Sequence, residues 1–384
     1  MKGTIKQRSE GSYSLIIDLP RQRGEKRKQK WFTYRGTKRD AQKELARLIT
    51  EMADDSFQEP SKTTLEQFFE RWLKHMTSQV DERTHIGYAE KARKNINPLL
   101  GSVLLTRLRP DQISEAYAQA LASGRRDGKG GLSPRTVHHL HRILKQALGQ
   151  AVKWGLLKRN PCDVVDPPRV EKREMKTFDT VQTADALGEM RRTRFLIAYL
   201  LAAICGLRRG EIAALRWKNV DLDAGVLKIV QTTRQIGKAV TYKPVKNTKG
   251  RPVALSSLVR DELKAHRAKQ AEELLRCGVK LSGDSFVFAQ PDGSPIKPGS
   301  ITNEWKRLVK KHALPRIRFH DLRHTHATAM LASGVHPKIA SERLGHSSIA
   351  ITLDLYSHVL PNMQADAIEG MDNDLRAAIS KRAK

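Results

Sequence analysis

Near the C-terminal end, residues 318–328 read Arg-Phe-His-Asp-Leu-Arg-His-Thr-His-Ala-Thr, followed by Leu344-Gly345-His346 and then Tyr356. His320, Arg323, His346 and Tyr356 therefore fall within 37 residues. Such a set could bind a phosphate, move protons and attack phosphorus. Far upstream, Gly206-Leu207-Arg208-Arg209-Gly210-Glu211-Ile212 offers another arginine, whose planar fork of donors suits a phosphate. Glu211, three residues on, is spaced to sit beside Arg208 on a helix and hold its guanidinium. By itself an Arg/Glu pair is more often a structural ion pair, and a lone tyrosine closing a helix is ordinarily a core residue. The company these residues keep is what shifts the reading.

Two more features bear on the chemistry. Lys246-Asn247-Thr248-Lys249-Gly250-Arg251 reads as a β-hairpin turn before a strand at Pro252–Leu255. A lysine there is usually solvated, but one with a lowered pKa could protonate a leaving alkoxide; Lys246, Lys243 and Lys249 all compete for that role. His320 and His324 have the i,i+4 spacing of metal ligands, with His326 close by. No Glu follows the first histidine as in a metalloprotease helix, and a third ligand would have to come from elsewhere, so a zinc site is not expected. His324 and His326 read instead as packed, hydrogen-bonded side chains.

The elements that must position these groups form a multidomain, mainly α chain. Residues 1–58 read as a small α+β unit: Tyr13, Leu15, Ile17 and Leu19 alternate as in a half-buried strand, a basic turn leads to a second extended run at 31–34, and a helix starts near Thr37. Lys26, Arg27, Lys28 and Lys30 make that turn a candidate DNA contact. After a linker at 58–62, residues 62–165 read as an all-α domain. Thr64 caps a helix bearing Leu65, Phe68, Phe69, Trp72, Leu73 and Met76, whose aromatics at helical spacing are core. Further helices cover about 84–97, 110–123 and a long stretch from Pro134. That last helix turns Val137, Leu140, Leu144, Ala147, Leu148 and Ala151 inward and shows Arg135, His138, His139, Arg142 and Lys145 on its other face. Such a stripe is a solvated face by default, and it also suits a helix lying along DNA. Residues 170–384 read as mostly helical with a small inserted antiparallel sheet, including extended runs at 226–230 and 252–255. Ile368, Met371, Leu375 and Ile379 line one face of a short terminal helix.

The chain has 384 residues, with 70 Lys and Arg against 41 Asp and Glu, a formal net charge of +29. An excess this large points to a polyanionic partner, and nucleic acid is favoured over a membrane. No apolar run approaches the ~18 residues of a spanning helix. Cys162, Cys205 and Cys277 are too few and too dispersed for a disulfide framework or zinc knuckle. A cytoplasmic, DNA-associated protein is the expectation.

In residue type, order and spacing, Arg208…Lys246…His320-x-x-Arg323…His346…Tyr356 resembles the active-site signature of the tyrosine recombinases, the phage integrase family. The resemblance covers 170–384 well. Residues 62–165 look like the family's core-binding (SAM-like) domain, and 1–58 resemble the arm-type DNA-binding domain of phage and conjugative-element integrases. The resemblance implies that Tyr356 attacks a DNA phosphodiester to give a 3′-phosphotyrosyl link and a free 5′-hydroxyl. Arg208, Arg323 and His346 would stabilise the transition state, Lys246 would protonate the leaving oxygen, His320 would assist the tyrosine, and Glu211 would support Arg208. It further implies double-stranded attachment sites, a homotetramer on paired sites, no ATP, metal or cofactor, and, in some members, an excisionase and a host DNA-bending protein. A type IB topoisomerase uses closely similar chemistry; the arm-like unit and the compact His-Arg-His-Tyr arrangement favour recombination.

Overall fold

The computed structural model describes residues 3–18, 29–53, 62–171, 175–237, 239–245, 250–356 and most of 368–380, the side chains of Glu51, Leu355 and Tyr356 excepted. By contact density the chain divides into two units, 1–172 and 173–384, each taken by itself below.

In the first unit, strands β1 (Gly3–Ser9), β2 (Ser12–Asp18) and β3 (Gln29–Arg35) form an antiparallel sheet in the order β1-β2-β3, and helix α1 (Lys38–Ala53) follows. The alternation in β2 does what its period requires. Tyr13, Leu15 and Ile17 face Ala41, Leu45, Leu48 and Met52 in a small core of their own. Three strands fall within the two or three expected, but the place of β1 was not marked, because Gly-Thr-Ile-Lys-Gln-Arg-Ser carries one apolar residue. Of the basic turn, Lys26, Arg27 and Lys28 lie outside the described residues, as does Leu19. Lys30 pairs with Ile17 and so shares the helix-covered face of the sheet. The opposite, open face carries exposed Lys6, Trp31, Thr33 and Arg35.

The helices of 62–165 build a second core. Helix α2 (Leu65–Met76) begins with a capping box between Thr64 and Gln67, and its Leu65, Phe68, Phe69, Trp72 and Met76 are buried. Helix α3 (Glu82–Lys91) passes through a π-helical turn at Ala92–Ile96 into α4 (Asn97–Leu100). The wider turn immediately precedes Pro98, which cannot donate to the carbonyl four residues back. Helices α5 (Pro110–Ser123) and α6 (Pro134–Lys153) complete the bundle. On α6 the expected inward residues are buried, and His141 joins them, its Nδ1 3.1 Å from the Tyr117 hydroxyl. On the outer face Arg135 and Arg142 are exposed, while Lys145 pairs with Asp163 at 3.1 Å.

In the second unit, α7 (Thr180–Arg191), the wholly apolar α8 (Leu196–Ala203) and the short α9 (Arg209–Ile212) lead into the inserted sheet. Strands β4 (Val220–Asp221), β5 (Val226–Ile229), β6 (Gln231–Ile236), β7 (Ala239–Pro244) and β8 (Arg251–Ala254) pair as β4-β5-β8 and β6-β7. Strands β6 and β7 form a hairpin that turns at Gly237, where φ is +56°; the turn expected at 246–251 falls mostly outside the described residues. The Val245 amide donates to Val230, and Arg251 pairs with Ile229. Residues 246–249 lie outside the described residues. Lys246 and Lys249 are among them.

Helices α10 (Ser257–Arg276), α11 (Pro298–Lys311), α12 (Asp321–Ala332), α13 (Pro337–Leu344) and α14 (Ala350–Tyr356) follow. Helix α8 lies at the centre of the core, with α7, α10 and α12 around it. Trp305 of α11 stacks on Phe195 and Tyr199 and meets Phe319 edge-on, and its indole N–H donates to the Ile317 carbonyl. That anchor fixes the segment immediately ahead of His320. Between 368 and 380 the described residues are helical, and Ile368, Met371, Leu375 and Ile379 are exposed.

Candidate active site

Arg208 sits at the N-cap of α9, and its position is set from two sides. Its Nη1 donates to Glu211 Oε1 at 2.9 Å and its Nη2 to the Gly345 carbonyl at 2.7 Å. Glu211 Oε2 also accepts from the Arg208 amide, closing the first turn of the helix. With two of its five N–H donors engaged and 38% of the side chain exposed, Arg208 has donors left for an anion.

Glu211 does more than the spacing implied. Its side chain is only 2% exposed, and the carboxylate also receives both terminal nitrogens of Arg251, at 2.9 and 2.7 Å. Burial pushes its pKa up, but the hydrogen bonds and charge of Arg251, then those of Arg208, outweigh that and hold it below the usual carboxylate value. Arg251 opens β8 and spends its Nε on the Arg343 carbonyl at the end of α13. One carboxylate therefore binds two guanidinia and ties α9, β8 and the start of the Gly345–His346 turn together. Sequence reasoning noted Arg251 only as a neighbour of the lysine segment. Its partner lies 40 residues away, and the only local signal was an arginine held at a strand edge after Gly250.

Arg323, on the first turn of α12, is 2% exposed. Its Nη1 donates to the Gly206 carbonyl at 2.6 Å and its Nη2 to that of Leu344. Burial, and then the nearby Arg208 cation, lower its pKa to about 9, so the guanidinium is charged at neutral pH. Two glycines permit this closeness. Gly206 has φ +72°, and a Cβ there would lie 2.6 Å from the His326 ring. Gly345, at φ +63°, ends α13 in the left-handed conformation, and a Cβ would meet the Arg251 guanidinium at 2.9 Å.

His320 occupies the N-cap position of α12, with its ring edge-on to that of His324 at 5.0 Å. Although one face of the residue is open to solvent, local burial, then His324 and Arg323, lower its pKa to about 4. His346 follows Gly345 and places Nδ1 2.8 Å from the Thr352 hydroxyl. Burial, then Arg323 and Arg208, lower its pKa likewise to about 4. Both rings are neutral at pH 7. His326 is buried and accepts from Arg343 Nε at 3.0 Å, a packed role as expected for it. The structure thus gathers Arg208, Glu211, His320, Arg323 and His346 around the ends of α9, α12 and α13. The backbone of Tyr356 closes α14, which packs on α12 and α13. Among the described residues no group of His, Cys, Asp and Glu is arranged to hold a metal ion. Nor is any described helix long and apolar enough to cross a membrane.

Comparison with known proteins gives the family of the chain. Residues 171–363 match the phage integrase family, and residues 64–121 match the phage integrase N-terminal SAM-like domain. A tyrosine recombinase XerC-like protein of Caldanaerobacter subterraneus is 28% identical, over 94% of this chain and 96% of its own length. The ICEBs1 integrase of Bacillus subtilis is 29% identical over 63% of this chain and 67% of its own. Among solved structures, the Tn1549 transposon integrase in complex with transposon right end DNA superposes with a TM-score of 0.69 at 22% identity, covering 80% of this chain and 99% of that one. A lambda integrase tetramer bound to a Holliday junction gives 0.57 at 18% identity, over 91% and 94%. The chain belongs to the phage integrase family, the tyrosine recombinases that cut and rejoin DNA at specific sites.

Proposed function

We propose that Tyr356 is the nucleophile of this recombinase and that the cluster around Arg208 and Arg323 is its phosphate cradle. The observation that carries this reading is the convergence of two guanidinia and two neutral imidazoles, from segments more than a hundred residues apart, beside the helix that ends in Tyr356. The tyrosine oxygen forms a bond to phosphorus as the bond to the 5′-oxygen breaks, giving a 3′-phosphotyrosyl link. Negative charge grows on the non-bridging oxygens, where Arg208, Arg323 and a His346 N–H stabilise it. Neutral His320 has a lone pair for the tyrosine proton, and Lys246 supplies a proton to the departing 5′-oxygen. A bound phosphodiester adds negative charge beside both histidines and raises their proton affinity toward the working range. The phosphotyrosyl bond conserves the energy of the broken linkage, so the 5′-hydroxyl of a partner strand reverses the step and strands exchange.

The same reading assigns the outer face of α6, with Arg135, His139 and Arg142, to DNA around the core site. The open face of the N-terminal sheet, with Lys6, Trp31, Thr33 and Arg35, is assigned to arm-type sites. The exposed Ile368, Met371, Leu375 and Ile379 suit docking on a second protomer in a tetramer. An excisionase and a host DNA-bending protein would complete the directional reaction. The deciding test uses a nicked duplex carrying the core site found in the DNA flanking the gene. Wild type should accumulate covalent protein–DNA complex, while Tyr356→Phe should bind the duplex and form none. Covalent complex from the Phe variant would remove Tyr356 as nucleophile.

A further inference from the structure

Thr352 is fully buried on α14, four residues and about one helical turn ahead of Tyr356 in the chain. Its hydroxyl lies 2.8 Å from Nδ1 of His346 and has no other side-chain partner among the described residues. A neutral imidazole has one N–H, and this contact decides which nitrogen bears it. If Nδ1 donated to Thr352, the hydroxyl proton would be buried without an acceptor, a costly arrangement. If Thr352 donates to Nδ1, every group is satisfied and the ring's remaining proton sits on Nε2.

We propose that Thr352 is a positioning residue that fixes His346 as the Nε2–H tautomer, so that the helix carrying the nucleophile also prepares the phosphate donor. The inference rests on the reading of His346 as a donor to the scissile phosphate. The coupling has a mechanical side. The hydroxyl that sets the tautomer travels with α14, so seating that helix against α12 and α13 brings up Tyr356 and orients the His346 proton in one movement. With α14 unseated, Nδ1 would lose its donor and the ring would be free to take either tautomer. Burial, then the charges of Arg323 and Arg208, favour the neutral ring, which keeps a single N–H to be placed.

Two measurements test this. In the wild-type chain without DNA, nitrogen-15 NMR of labelled histidines, with His346 assigned by its loss in His346→Gln, should show Nδ1 as the bare acceptor and Nε2 protonated. Protonation at Nδ1 overturns the proposal whatever becomes of the Tyr356 reading. In cleavage of the nicked core-site duplex, Thr352→Val should slow covalent complex formation about tenfold or more at unchanged duplex binding, and Thr352→Ser should recover the rate. In a His346→Ala background the same Val substitution should cost less than about twofold, because its effect passes through the imidazole. An equal loss in both backgrounds, or no loss in either, overturns the proposal. Should the Val variant fail to fold, the tautomer of the wild-type ring still decides.

Discussion

The guanidinium cluster of the second unit and the outer face of α6 in the first use the same residue types to opposite ends. Arg208, Arg251 and Arg323 are tied to a buried carboxylate and to backbone carbonyls of Gly206, Arg343, Leu344 and Gly345. Arg135 and Arg142 stand exposed on a helix whose other side is core. Cross-tied arginines have little freedom to lose when a phosphate arrives, so they hold the geometry a transition state needs. Exposed ones contribute attraction at long range and lose it to salt. The first arrangement therefore suits chemistry and the second suits affinity, and each fails under a different stress.

The sharpest way to break the comparison is at Glu211. Glu211→Gln keeps the shape but leaves two guanidinia around a neutral amide in a buried site. Breaking a buried ionic network in this way costs about 3–5 kcal/mol. We expect a loss of unfolding stability of that order and a fall in covalent complex formation of about a hundredfold or more, as Arg208 loses its anchor. Urea unfolding and cleavage of the nicked duplex measure the two. Wild-type cleavage by Glu211→Gln would show that Arg208 is held well enough by Gly345 alone.

Much of this second region was legible because its residues come in short motifs whose order carries meaning: Arg208 with Glu211, His320 with Arg323, then His346 and Tyr356. The helices were legible too, since Leu140, Leu144, Ala147, Leu148 and Ala151 mark one face by period alone. What escaped has a common physical cause, a partner distant in sequence. Arg251 meets Glu211 across 40 residues, and Thr352 meets His346 only because Gly345 turns the chain left-handed. Strands β6 and β7 escaped for another reason. Gln-Thr-Thr-Arg-Gln-Ile and Ala-Val-Thr-Tyr-Lys-Pro are largely polar, and the paired strands are only part-covered, so no clear alternation betrays them. On α6, His141 belonged by type to the basic stripe but by position to the core.

Acid should stress the guanidinium region more than the α6 face. His326 is buried beside Arg343 and Gly206, and burial, then Arg343 and Arg323, lower its pKa to about 3. Between the unfolded value of about 6.5 and that folded value, the unfolded chain binds a proton the folded chain refuses. Above pH 6.5 the ring is neutral in both states and contributes no pH dependence. Stability falls as pH drops below 6.5, by up to about 1.4 kcal/mol per pH unit for this one group. His326→Asn should flatten the loss between pH 6.5 and 5 by about 2 kcal/mol, a window in which most carboxylates are still ionised. An unchanged slope in the variant would place the acid sensitivity elsewhere, with His320 and His346 the next groups to examine.

Salt should stress the α6 face and leave the cluster alone. Arg135→Ala and Arg142→Ala remove exposed charges from a helix whose buried side is untouched, so folding should change by less than about 0.5 kcal/mol. Each cation that neutralises a DNA phosphate lowers the slope of log affinity against log salt by about 1 when removed. We expect that reduction for each variant in duplex binding titrated from 50 to 200 mM salt, both figures being about the usual range for such slopes. At saturating duplex the rate of covalent complex formation should match wild type, because neither residue belongs to the cluster around Arg208 and Arg323. Lys145→Ala sharpens the contrast within a single helix. Its ammonium is already paired with Asp163, so it has less charge to give and should alter the slope less than its neighbours do. Equal slopes for all three variants would mean that DNA displaces the Asp163 contact, and that the outer face of α6 acts as one continuous stripe of charge.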